Sequence, residues 1–189
     1  MERGNKMFAA LEAETDRGKA CVGDAMLDEL VKNIFVHRLV DSRAAEEQFS
    51  FGRSLGSHGI RLKIAHMLGW IGPETYHDCD KIHNIRNRMA HNLEVDSFEH
   101  EQVRDLVKAL KGPKSVVILI TKTGHDPQRV NLKRSGDVVT LAVSTAMLRI
   151  CDSLDRSKRQ RPGKDAPIFS GPKRIAQFLT EPKIPNVPI

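Results

Sequence analysis

Arg86, Asn87 and His91 fall close together in the stretch I-H-N-I-R-N-R-M-A-H at Ile82–His91. An arginine holds a phosphate through a planar fork that stays charged at every working pH. A histidine gains and loses its proton near neutrality and so serves as a general acid or base. Together they suit attack of an RNA 2′-hydroxyl on its own phosphodiester: His91 takes the proton, Arg86 steadies the charged transition state, and Asn87 orients the imidazole or holds a phosphate oxygen. That reaction needs no metal, and DNA lacks the hydroxyl. Geometry sets a condition on it. Five steps along a straight helix turn a side chain through about 500°, which leaves Arg86 and His91 about 140° apart. They meet on one anion only if the helix ends between them or a second protomer completes the site. The same residues also read as a helix terminus, with the histidine on orphan carbonyls and Arg86 paired with an acid such as Glu14 or Asp16.

The segment carrying these residues reads as a helix from about Pro73 to Ala90 or beyond. Cys79, Ile82, Ile85, Met89 and Leu93 form one apolar stripe, and Asp80, His83, Asn84, Asn87 and His91 a polar one. Pro73 suits a first helical turn, where its missing N–H is not needed. Ahead of it, Ile60–Leu68 reads as a short helix stopped by Gly69. An earlier helix begins near Met7, with a kink or break possible between Gly18 and Gly23, and continues to about residue 42 through Leu27, Leu30, Val31, Ile34 and Phe35. Residues 43–59 read as a loop whose Phe49, Phe51 and Leu55 tuck against the bundle.

Asp96 and Glu99 have capping-box spacing, with Ser97 as the alternative cap, for a helix over Val103, Leu106, Val107 and Leu110. Residues 115–121 suit a strand or a buried helical turn equally. A last helix from Asp137 to about Leu154 is predicted to bury much of its circumference, because Leu141, Leu148 and Cys151 widen its apolar face. The fold class is all-α, a helical bundle over residues 1–155 followed by a basic, Pro-rich, extended or disordered tail over 156–189.

Composition bounds the rest. The chain has 189 residues, enough for one well-packed domain, and its net charge of +6 comes entirely from residues 156–189, the preceding part being neutral. Whole-chain basicity therefore says little about the core. Within the basic residues, Arg88 beside the motif and Lys158, Arg159 and Arg161 in the tail are the candidates for nucleic-acid contacts. The three cysteines show no zinc spacing and read as reduced thiols of a cytoplasmic protein. The histidines of the central helix, His77, His83 and His91, miss the three- or four-residue steps that helical metal ligands use, so no metal and no cofactor is expected. No run is long enough to span a membrane. The pair of segments around Gly69 invites a helix-turn-helix reading, but Thr75 and Asp78 occupy positions that should be buried and apolar, and DNA is the weaker partner.

Four segments carry a family resemblance: E-T-D-R-G at Glu14–Gly18, L-G-S-H-G-I-R-L-K-I-A-H-M-L-G-W-I at Leu55–Ile71, E-T-Y-H-D-C-D-K-I-H-N-I-R-N-R-M-A-H at Glu74–His91, and S-F at Ser97–Phe98. In this order they resemble the mannitol operon repressor family, with Arg88-Met89 standing where that family has an acid and an aromatic. The R-N-x-x-x-H signature is also similar to that of the HEPN superfamily of helical bundles. Many of its members are metal-independent ribonucleases acting as toxins or defence proteins, and others bind nucleotides or partners without catalysis. The resemblance implies a HEPN-like bundle, a homodimer with the motif at its shared cleft, and a cytoplasmic negative regulator acting through RNA or protein contacts. A ribonuclease built on Arg86, Asn87 and His91 is one alternative, and a DNA-binding repressor another.

Overall fold

A computed structural model describes residues 10–39, 42–50, 52–114 and 134–159, all within one compact unit, Met1–Arg159. All the regular secondary structure among them is helical, with short helical pieces at 10–12 and 112–114 and six longer elements: α1 (Asp16–Arg38), α2 (Arg43–Glu47), α3 (His58–Met67), α4 (Pro73–His91), α5 (Glu101–Lys108) and α6 (Ser135–Arg159). The expectations for residues 115–121 and for the tail beyond Arg159, Arg161 included, lie outside the described residues, as do the side chains of Lys158 and Arg159.

The E-T-D-R-G stretch opens α1 rather than closing a preceding helix. Thr15 is the N-cap, its hydroxyl accepting from the Gly18 N–H at 3.1 Å, which satisfies one of the orphan donors of the first turn. The next two residues reach across the molecule. Asp16 Oδ2 accepts from the Phe98 N–H at 2.9 Å, and Arg17 Nη2 donates to the carbonyls of Leu93 (2.9 Å) and Val95 (3.1 Å). One motif therefore starts a helix and fastens the α4–α5 connection. No break occurs between the two glycines, because Gly23 lies against Val143 of α6 and the missing side chain is what lets α1 and α6 approach.

α4 runs through the middle, packing on α1, α3, α5 and α6. Cys79, Ile82, Ile85 and Met89 are fully buried, as the periodicity requires, whereas Leu93 is 84% exposed because the helix has already ended at His91. Thr75 and Asp78 are buried too. Asp78 is satisfied there by the backbone: its carboxylate accepts from the Lys111 N–H at 2.9 Å and the Gly112 N–H at 2.6 Å. That bond closes the turn after α5.

Three further expectations are corrected. α5 is capped by His100, not by Asp96 or Ser97, and the Ser97 hydroxyl donates to Asp16 instead. α6 has one buried face (Val139, Ala142, Val143, Ala146, Ile150, Leu154), while Leu148 and Cys151 are exposed, so the wider apolar face does not form. The loop after α1 contains the short α2, capped by Ser42. Phe49 nonetheless packs edge-on against Phe35, as Trp70 also does, and Leu55 is buried. Phe51 is not among the described residues. Among the described residues no helix is long and apolar enough to cross a membrane.

Candidate functional site

Asp24 is the charged residue on the apolar face of α1, one turn before Leu27 and two before Val31, and it is 5% exposed. A carboxylate so placed must be compensated. Two histidines from other helices do this. His83 of α4 approaches with Nδ1 3.1 Å from Asp24 Oδ1 and 3.2 Å from Oδ2. His58, at the first turn of α3, brings Nδ1 to 3.0 Å from Asp24 Oδ1, but out of line for a hydrogen bond, and its rings and those of His83 meet edge-on at 4.9 Å. Burial pushes the Asp24 carboxyl upward, and the two imidazoles of His58 and His83 facing it outweigh that, holding the group well below the usual carboxylate range.

Arg86 and Asn87 complete the arrangement. Arg86 Nε lies 3.7 Å from Asp24 Oδ2, while Arg86 Nη1 donates to Asn87 Oδ1 at 2.8 Å. Asn87 Nδ2 in turn faces His83 Nε2 at 3.1 Å. With Oδ1 of the amide given to arginine, Nδ2 is the atom left for the histidine. His83 then accepts at Nε2 and donates from Nδ1 to Asp24, so the chain runs Arg86, Asn87, His83, Asp24 with every donor matched to an acceptor. The pairing of Arg86 with Glu14 or Asp16 does not occur, since Asp16 is used at the start of α5 and Asp24 is the acid at hand.

The network forms one wall of an open cleft of about 700 Å³ whose other walls include Cys21, Arg53, Ile60 and Arg61. Arg61 is committed: Nη1 donates to the Leu55 carbonyl and Nη2 to Asp28 Oδ1, with Nε 3.2 Å from the same oxygen. Arg86 keeps 41% of its side chain exposed and can turn a face to the cleft. Of the three residues singled out from the sequence, the structure therefore brings Arg86 and Asn87 into one polar cluster. His91 is exposed at the last turn of α4, and no hydrogen bond or ion pair of its side chain is found among the described residues. Arg88 is also exposed, its Nη1 on the Gln102 carbonyl.

Asp24 and His58 are the residues that reading along single helices missed. The signal for Asp24 was a carboxylate standing in an apolar stripe. For His58 there was none, because its partners lie on two other elements. Cys79 is not part of the chemistry: burial first, then the charges of Asp78, Asp24 and Asp80, push its thiol far up.

What the fold and cluster define is an all-helical domain whose central helix sets His83, Arg86 and Asn87 against the buried Asp24 of α1, beside a cleft. In fold it is similar to the mannitol operon repressor MtlR as solved in the MtlR–HPr complex from Escherichia coli. The likeness covers 79% of this chain and 99% of that one, with a TM-score of 0.58 and 16% identity. No family model matches the chain, and no curated protein matches it.

Proposed function

We propose that this protein is a cytoplasmic regulator working as MtlR does in its complex, through contact with a protein partner, and that HPr or a protein like it is the partner. The observation that carries this reading is the span of the likeness: 99% of a repressor chain found bound to HPr is matched by 79% of this one. A surface feature supports it. Ile60 and Met67, seven residues apart on α3, share one side of the helix and are 45% and 82% exposed, with exposed Lys63 between them. Met is common at surfaces that bind other proteins because it repacks easily. A homodimer sharing the Arg86 cleft belongs to the same proposal.

Titration calorimetry of the purified chain against HPr from the same cell tests it. A saturable complex, weakened when Met67→Asp puts a charge on the exposed side of α3, supports the reading. Absence of any heat or co-elution with HPr across phosphorylated and unphosphorylated forms sinks it.

A second reading, a metal-independent ribonuclease using Arg86, Asn87 and His91, is favoured by one observation, the exposure of Arg86 at the cleft rim. It requires Arg86 to leave Asn87 and a second protomer to bring a His91 to it. RNA incubated with the protein in EDTA decides: cleavage that His91→Ala lowers by on the order of 10²–10⁴-fold supports it, and intact RNA over a broad panel rejects it. RNA binding without cleavage stays within the regulator reading, and a DNA reading through α4 meets a helix packed on four neighbours.

A further inference from the structure

Asp24, His58 and His83 come from three different helices, yet a carboxylate oxygen and two ring nitrogens lie within 4.8 Å of one another. We propose that these three side chains bind a divalent transition-metal ion of the Zn(II) class, with the remaining coordination positions opening on the adjoining cleft.

The first argument is His58. Its side chain is 6% exposed, and neither ring nitrogen has a hydrogen-bond partner although both are shielded from water. Buried imidazoles ordinarily satisfy at least one nitrogen, because an orphaned polar atom in the interior is costly. Here Nδ1 stands 3.0 Å from the oxygen that His83 also faces, without bonding to it. A cation set between them turns that misfit into a bond.

Spacing supplies the second argument. Asp24 Oδ1 is 3.0 Å from His58 Nδ1 and 3.1 Å from His83 Nδ1. Ligand atoms at about 2.0–2.1 Å around a tetrahedral zinc stand about 3.3 Å apart, so each of these two oxygen–nitrogen distances needs to open by only a few tenths of an ångström, and all three ligand atoms lie within 4.8 Å of one another.

The donor set chooses the ion. Two imidazoles and one carboxylate suit zinc and its first-row neighbours, whereas calcium and magnesium take oxygen donors. Three protein ligands leave a position for water or a ligand, the pattern of an exchangeable rather than a purely structural site.

The surroundings are those of a second shell. Arg86 holds Oδ2, the Asp24 oxygen not shared by both histidines at their closest approach, and Asn87 sits on His83 Nε2. The arginine's charge opposes a cation, but it lies behind the carboxylate and is partly in solvent, where it is screened. When the ion takes the Nδ1 lone pair of His83, the ring proton moves to Nε2. Asn87 must then turn its Oδ1 to that N–H, which releases Arg86 Nη1. No proton is lost overall from neutral rings. Metal binding would thus free the arginine toward the cleft.

The site does not depend on the partner reading, and its test uses the full chain with metal alone. After treatment with a chelator and its removal, the protein is titrated with Co(II) as a spectroscopic probe and then with Zn(II). The expected result is one equivalent of Co(II) with visible absorption, displaced by Zn(II). His58→Ala and His83→Ala should each weaken Zn(II) binding by on the order of 100-fold or more, beyond what loss of an outer-shell residue does. His91→Ala should leave it unchanged. If the ligand variants do not fold, Asn87→Ala, which keeps all three ligands, should weaken binding by about 10–100-fold. Wild-type protein that takes up no stoichiometric metal overturns the proposal. So does metal bound equally well by folded His58→Ala, or lost on His91→Ala.

Discussion

Gly23 of α1 stands so close to Val143 of α6 that a Cβ added to it would lie 2.8 Å from Val143 Cγ2. Alanine is the better helix former by about 1 kcal/mol, so on α1 alone Gly23→Ala would stabilise. The neighbour is a β-branched side chain, fully buried with its single rotamer fixed by packing, and it cannot swing away. Gly23→Ala is expected to destabilise by about 1–3 kcal/mol. Gly18→Ala is the milder case: its Cβ would meet the carboxyl end of Glu14, which can swing aside, and would stand 3.1 Å from Glu14 Cβ, which must give by a few tenths of an ångström, so part of the propensity gain should survive. Urea unfolding of the two variants, compared with the parent, reads the difference in sign.

Asp78 shows how a buried acid inside a helix can be structural. Both its oxygens are used, one on the Lys111 N–H and one on the Gly112 N–H. Asp78→Ala leaves two donors of the α5 turn without acceptors and should cost about 3–6 kcal/mol, taking roughly 1.5–3 kcal/mol for each of the two hydrogen bonds to a charged group. Asp78→Asn, with one acceptor oxygen, should fall between. Equal stability of all three proteins would mean that the turn is held by something else.

Much of this molecule is legible in its sequence, and the parts that are not share a cause. The stripe Cys79, Ile82, Ile85, Met89 predicts the buried face of α4 because helical period alone decides it. Gly69 stops α3 because it adopts φ +69°, which a side chain would resist. The misses concern partners distant in sequence. Gly23 reads as a weak point until Val143 stands beside it. Asp78 reads as misplaced until the α5 turn reaches it, and Leu148 and Cys151 read as core although both are exposed. The candidate site divides likewise. Arg86 and Asn87 were visible as a local motif, but the acid they serve, Asp24, lies on another helix, and His91 extends the motif in sequence without joining the cluster in the structure.

Asp24 should make acid stability measurable in the metal-free protein. His58, His83 and Arg86 face it, and Cys79 lies near enough to feel its charge. Its folded carboxyl titrates below the unfolded one. The stabilisation is therefore complete above the unfolded value of about 3.9 and is lost as pH falls through the folded value. Asp24→Asn should cost about 3 kcal/mol near neutrality, as expected for breaking a buried ion pair. The gap between parent and variant should hold constant down to about pH 4 and narrow below it. A gap that widens in acid would reverse the sign and exclude an ionised Asp24.

Thiol reactivity should follow burial and charge. Cys151 is exposed, Cys21 is half-buried at the cleft, and Cys79 is buried among acids that raise its pKa. Only the thiolate attacks a disulfide reagent. Native protein should give a fast reaction at Cys151 and a slower one at Cys21. Cys79 should react only at the rate of unfolding, a separation that mass spectrometry of the labelled protein resolves.

The relay from Arg86 to Asp24 fixes the protonation of one ring, and that can be seen directly. Asp24 needs a donor at His83 Nδ1, while Asn87, with its oxygen held by Arg86, offers a donor to Nε2. Neutral His83 must therefore carry its proton on Nδ1, the reverse of the tautomer a ring would take when a carbonyl or carboxylate accepts from Nε2. Long-range proton–nitrogen correlation spectra of metal-free protein should show Nδ1 protonated and Nε2 bare at a pH where His83 is neutral. Arg86→Gln releases Asn87 Oδ1, letting the amide turn, and should shift the tautomer population toward Nε2–H without unfolding the bundle. A parent ring already protonated at Nε2 would break the chain at its middle link, since Asn87 could not then face both Arg86 and His83 as it does.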